Sequence, residues 1–266
     1  MIDIVEDSRG RLVTAGWATS NTLQDPYHTA LSRFLVGDCG NGQLESDEDC
    51  DDGNAQGGDC CSSACRLDAP GSACEGTGDL CGLAQCDGAG TCLTTIAPDP
   101  TCQESLGPTL GTLRIASPTD PNRRKLRWSW VHGAATLGDF GNPLDDTDLS
   151  FCMYDGTGEL VSRLDVPGGA TCADGPCWNG SEQSFLYRDS SRERAGLGLL
   201  RLRGGAAGRA AVTFLAKGAE VPVPSLSLVA PIDVQLRASN GGCWGVTFEA
   251  DSIQRNDETS FRARAK

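Results

Sequence analysis

Ten of the 14 cysteines in this 266-residue chain fall between Cys39 and Cys102. The segment around them has few other means of folding. Its larger aliphatic residues are almost confined to Leu44, Leu67, Leu80, Leu83, Leu93 and Ile96, too few to bury a stabilising core. Residues 45–65, "ESDEDCDDGNAQGGDCCSSAC", hold four cysteines and seven acids with no Leu, Ile or Val. A segment of this kind requires covalent or metal staples. Zinc sites pair cysteines at C-x2–4-C spacing, often with His. Here "CSSAC" (Cys61, Cys65) has that spacing, but no His lies between His28 and His132, and adjacent Cys60 and Cys61 suit one ion poorly. Disulfides are therefore expected at Cys39, Cys50, Cys60, Cys61, Cys65, Cys74, Cys81, Cys86, Cys92 and Cys102. Their connectivity does not follow from spacing.

The other four cysteines are Cys152, Cys172, Cys177 and Cys243. Both groups are even in number, which suits pairing within each. Spacing favours Cys172–Cys177 as a loop staple and Cys152–Cys243 as a link between two strands, with the other pairings open. Disulfides persist in oxidising compartments, so the expected location is extracellular or at the cell surface. The opening "MIDIVEDSRGRLVTAGW" has no signal-peptide pattern. The expectation that reconciles the two is a chain that is the C-terminal part of a longer exported protein, or one with a misplaced start.

Charge is as uneven as cysteine. Residues 39–102 carry twelve acids and one base, so −11 of the net −14 sits there. Such a chain repels nucleic-acid phosphate, and no nucleic-acid partner is expected. No apolar run reaches the roughly 18–20 residues of a membrane span.

Three segments follow. Residues 1–37 read as a small β-unit: "DIVED", a turn at Ser8-Arg9-Gly10, the alternating "RLVTAGWA", and "HTALSRFLVGD" ending at Gly37-Asp38. Residues 38–104 form the cysteine-rich module, dominated by Gly, Asp, Ser and Cys with almost no secondary-structure signal. Residues 105–266 show about nine short apolar runs punctuated by turns, among them "GTLRIAS", "KLRWSWVH", "DLSFCMYD", "SLSLVAPIDVQLRAS" and "CWGVTFEA". Several alternate with period two, as in Leu126, Trp128 and Trp130 against Lys125, Arg127 and Ser129. The expected fold class is mostly β: a disulfide-rich loop module followed by an antiparallel β-sandwich.

Three stretches resemble known patterns. "CGNGQLESDEDCDDGNAQGGDCCSSAC", Cys39 to Cys65, resembles the myxobacterial-type cysteine-rich repeat, in which "CGDG", "CDDGN" and "GDGCSSxC" elements occur in this order. Cys60 departs from that pattern, which has Gly there. The resemblance implies that this extra thiol bonds outside the repeat, into "ACEGTGDLCGLAQCDGAGTC", a segment similar to one that often follows such repeats. "DSRGRLVTAGWATS…HTALSRFLVGD" resembles one unit of a β-propeller-like repeat of bacterial secreted proteins. Residues 110–266, with "DLSFCMYD", "FLYRD" and the terminal "CWGVTF…FRARAK", are similar to an uncharacterised C-terminal β domain of large secreted proteins of myxobacteria and related bacteria. None of these resemblances implies an active site.

The acid cluster has two readings. Asp47, Asp49, Asp51, Asp52, Asn54 and Asp59 offer hard oxygen ligands, and calcium takes six to eight oxygens. Asp49, Asp51, Asp52, Asn54 and Asp59 are the candidate calcium ligands, although no EF-hand register is present. The alternative is turn chemistry, in which Asp and Asn bond nearby backbone and Gly53 takes a positive φ. No other cofactor is implied.

Catalytic signals are sparse. His28 and His132 are the only histidines, and His132 ends an alternating strand. No nucleophile-elbow, zinc-protease or phosphate-loop motif occurs. Twelve aromatic residues between Trp128 and Phe261 are expected in a sandwich core, the alternative being an exposed ligand-binding line. The expected role is non-enzymatic: a structural or adhesive cell-surface protein whose partner is a surface protein or glycan. The alternatives are a calcium-dependent carbohydrate- or protein-binding module, and accessory domains of a secreted hydrolase.

Overall fold

The computed structural model describes residues 3–6, 12–19, 27–33, 39–76 and 78–266. They are mostly β, in antiparallel sheets. The chain divides into two compact units, Met1–Glu75 with Gln85–Leu93, and Gly76–Ala84 with Thr94–Lys266.

The first unit begins with β1 (Asp3–Glu6), β2 (Leu12–Thr19) and β3 (Tyr27–Arg33), a three-stranded meander. Asp3 pairs with Ala15, and Val13 with Arg33. The expected turn at Ser8–Gly10 and the end at Gly37–Asp38 lie outside the described residues. The cysteine-rich part that follows is irregular. Among its described residues in this unit, the fully buried side chains are Cys60, Cys61, Cys65 and Cys86. Sulfur takes the place of an aliphatic core there, as the shortage of Leu, Ile and Val requires. One hairpin, β4 (Gly82–Cys86) with β5 (Cys92–Ile96), appears where the sequence carries no strand signal. Its turn is organised by Asp87, which accepts the Ala89 N–H at 2.7 Å and the Thr91 N–H at 3.0 Å.

The second unit is a β-sandwich. Its strands are β6 (Gly111–Ala116), β7 (Lys125–Gly133), β8 (Leu149–Tyr154), β9 (Leu160–Val166), β10 (Thr171–Cys172), β11 (Gly175–Pro176) and β12 (Trp178–Ser181). They continue as β13 (Ser184–Arg188), β14 (Leu197–Arg203), β15 (Ala210–Lys217), β16 (Ile232–Ala238), β17 (Cys243–Phe248), β18 (Ile253–Asp257) and β19 (Ser260–Ala265). One sheet has eight strands in the order β12-β13-β14-β15-β7-β6-β19-β18, the other four in the order β17-β16-β8-β9. Side chains alternate as a half-buried strand demands: in β7, Leu126, Trp128 and Trp130 are buried while Lys125 and Arg127 are exposed.

All twelve aromatics between Trp128 and Phe261 are buried, so they fill the core and form no exposed line. Phe151 stacks on Phe214 with ring centres 4.5 Å apart, and Trp128 meets Phe151 edge-on at 5.9 Å. Gly133 has a steric reason: a Cβ there would lie 1.7 Å from the Trp130 ring. Two expectations need correction. Of "SLSLVAPIDVQLRAS" only Ile232–Ala238 is a strand; Pro231, just before it, has no N–H to give a ladder. The closing hairpin β18–β19 was not expected as strands. Its four charged side chains at 255, 257, 262 and 264 mask the buried alternation of Phe261, Ala263 and Ala265.

Candidate functional site

All 14 cysteines are bonded. Within the first unit the pairs are Cys39–Cys65, Cys50–Cys61, Cys60–Cys86 and Cys74–Cys92. Adjacent Cys60 and Cys61 thus serve different bridges, and Cys60 bonds beyond Cys65 to Cys86 in the following segment. Cys60 has φ 87°. That left-handed conformation suits glycine, the residue the resembled pattern carries at this point.

Asp51 builds the loop around it. One of its oxygens accepts the N–H groups of Gly40 and Asn41, each at 3.1 Å. The other accepts those of Gly42 at 2.9 Å and Gly53 at 2.8 Å. Desolvation alone would raise the Asp51 pKa, but these four backbone donors hold it below the ordinary carboxylate range. Gly40, at φ 91°, is forced: a Cβ would lie 2.4 Å from the Asn54 carbonyl carbon. The "CGNG" and "CDDGN" elements are therefore two halves of one carboxylate cradle.

The other candidate calcium ligands are engaged separately. Asp49 pairs with Arg66 at 3.2 Å. Asp52 accepts the Asn54 N–H at 3.1 Å, and the Asn54 amide donates to Asp59 at 3.0 Å. That amide holds the Asp59 carboxyl below its usual range. The carboxylates that converge are a different set: Glu45, Glu48 and Asp51 bring ligand oxygens within 4.8 Å of one another. Glu45 Oε2 and Glu48 Oε1 have no hydrogen-bond partner among the described residues. The Glu45 N–H lowers the Glu48 pKa, yet desolvation and the charges of Glu45 and Asp51 leave it above the ordinary value. Sequence reading missed both glutamates, although their spacing of three residues was the available signal.

In the second unit, Cys172–Cys177 closes a loop over a sequence separation of 5. The expected Cys152–Cys243 bond is corrected, and with it the expectation of pairing within each group. Cys152 on β8 and Cys243 on β17 lie on opposite sides of β16. Two inter-strand steps separate them by roughly 10 Å, beyond the roughly 7 Å that a disulfide spans between Cα atoms. Each bonds instead to a cysteine from the preceding segment, as Cys81–Cys152 and Cys102–Cys243.

Residues 78–84 and 94–104 are thereby fastened to the outer face of the four-stranded sheet. The Tyr154 hydroxyl donates to the Cys81 carbonyl at 2.6 Å, and Arg163 pairs with Asp79 at 2.8 Å. Buried Gln235 exchanges two hydrogen bonds with the Asp99 backbone, at 3.0 and 2.9 Å. Gln103 adds to the edge of β17 in parallel, its backbone donating to the Cys243 carbonyl at 2.9 Å and accepting the Gly245 N–H at 3.1 Å. This explains why every residue of β8 is buried: both of its faces are covered.

His132 is exposed at the end of β7, beside Gly107. Among the described residues no helix is long and apolar enough to cross a membrane. Comparison with protein-family models, curated proteins and solved structures returns no match.

Proposed function

We propose that this protein is a non-enzymatic, exported structural or adhesive protein of the cell surface. The observation that carries the reading is the complete oxidation of 14 cysteines into seven bridges. A segment whose buried side chains are half-cystines has no fold in a reducing compartment. The resemblance of residues 39–65 to a repeat of secreted bacterial proteins supports the same location. The partner on this reading is a surface protein or glycan.

The test is labelling of intact producing cells with a membrane-impermeant amine reagent, followed by thiol counting on the recovered chain. Labelled protein without free thiols is the expected result. A chain protected in intact cells and carrying free thiols overturns the proposal.

One feature favours a second reading, a calcium-assisted binding module: the two unbonded carboxylate oxygens of Glu45 and Glu48 beside Asp51. Divalent calcium would relieve the repulsion that raises the Glu48 pKa. On this reading Tm rises with calcium, and Glu48→Gln abolishes the rise. Identical melting curves in calcium and in chelator sink it.

A further inference from the structure

The eight strands of the larger sheet contain ten bases and one acid. The bases are Arg114 in β6, Lys125 and Arg127 in β7, Arg188 in β13, Arg201 and Arg203 in β14, Lys217 in β15, Arg255 in β18, and Arg262 and Arg264 in β19; the acid is Asp257 in β18. All ten bases are exposed. This contrasts with a chain of net charge −14.

The strand register puts several of them in single file. Arg255 lies opposite Arg262, Arg262 opposite Arg114, and Arg114 opposite Arg127. The row then crosses Leu215 and Leu199 and ends at Arg188. Seven strands at ~4.8 Å spacing make a line of roughly 29 Å. Like charges directly opposite one another oppose sheet pairing. Among the described residues only Arg255 of the ten is in an ion pair, with Asp257. At the Leu199–Leu215 saddle a depression of about 290 Å³ is ringed by Lys125, Arg188, Arg192 and Lys217. Its one carboxylate, Asp189, is already spent on Ser191 and on the Glu193 N–H at 3.0 Å.

We propose that this face is the docking surface for a linear polyanionic glycan, a carboxylated or sulfated polysaccharide laid along the arginine row. Charge complementarity identifies the partner, and the single-file arrangement matches a chain of recurring anionic groups better than a planar anionic membrane. The twelve aromatics of the sandwich are buried, which leaves none on this face for base stacking. The inference deepens the adhesive reading and rests on it.

The experiment measures binding of the oxidised full chain to polygalacturonate, dextran sulfate, neutral dextran, duplex DNA and phosphatidylserine vesicles. Binding to at least one of the two polyanionic glycans and none to neutral dextran is expected, weakening about tenfold or more between about 50 and 200 mM salt. Arg114→Glu with Arg127→Glu should weaken glycan binding at least about tenfold by the same charge argument. Arg114→Thr with Arg127→Thr, which suits strands, checks the result in a folded neutral variant. No binding to either charged glycan at low salt, or binding unchanged in both double variants, overturns the proposal. Tighter binding to DNA or to the vesicles overturns it as well. The assay uses purified protein, so it can fail while surface labelling succeeds, and the reverse.

Discussion

Cys60 shows how one residue can trade backbone strain for a covalent link. Its φ of 87° costs on the order of 1–2 kcal/mol for a side chain with a Cβ. The bridge to Cys86 closes a 26-residue separation, worth about 3.5 kcal/mol in the chain-entropy account. The bridge therefore wins. It follows that Cys60→Gly with Cys86→Ser should melt above Cys60→Ser with Cys86→Ser, the gap being about 1 kcal/mol by relief of strain. Equal melting of the two variants would contradict the strain assignment. Asp51, Asp59 and Asp87 all have carboxyls held below the ordinary range in the fold. Groups with depressed folded pKa contribute stability above their unfolded value, near 3.9, and lose it as pH falls through the folded value. The first unit should thus keep these contributions above about pH 4 and lose them progressively below it. Amide exchange of Gly40, Asn41 and Gly42, whose N–H groups Asp51 accepts, is the local readout, and Asp51→Ala should accelerate all three at neutral pH.

At the scale of elements, the arginine row is a liability for the sheet itself. Arg114 and Arg127 are direct neighbours in the ladder, and like-charge cross-strand pairs cost roughly 0.2–1 kcal/mol. Arg127→Thr should therefore stabilise the sandwich by about 0.5 kcal/mol at low salt. The gain should shrink in about 1 M salt, where charges are screened within about 3 Å. Denaturant melts at two ionic strengths decide this, and a loss of stability in Arg127→Thr would show that the row is structurally required. The row was invisible along the sequence. Its arginines come from five strands spread between 114 and 262, and register alone aligns them. By contrast the strands themselves were mostly legible, because one buried face leaves a period-two trace. Where that trace was hidden by charge, as in β18–β19, or absent, as in β4–β5, reading failed.

At the scale of the whole molecule, the two units have different kinds of core. The cysteine-rich part buries half-cystines, whereas the sandwich buries a continuous apolar cluster that includes Trp128, Trp130, Trp178 and Trp244. Full reduction should unfold the first while the second keeps its near-ultraviolet dichroism from buried tryptophan, at a lowered Tm. The lowering comes from Cys81–Cys152 and Cys102–Cys243, which close separations of 71 and 141 residues and are worth roughly 4–5 kcal/mol each at most. Loss of the tryptophan signal on reduction at room temperature would show that the sandwich depends on its bridges for folding.

By itself the sequence determined the fold class, the positions of most sandwich strands and the disulfide chemistry. These are local properties: alternation, composition and a thiol count act over short spans of chain. Only the tertiary structure decided the partners of Cys152 and Cys243, the convergence of Glu45, Glu48 and Asp51, and the arginine row. Each of these depends on which segments lie side by side. For the cysteines and the arginines that is fixed by strand order and register, where inserting β16 between two cysteines puts them out of reach and aligning four strands brings four guanidinium groups together; for the three carboxylates it is fixed by how the irregular loop folds back on itself.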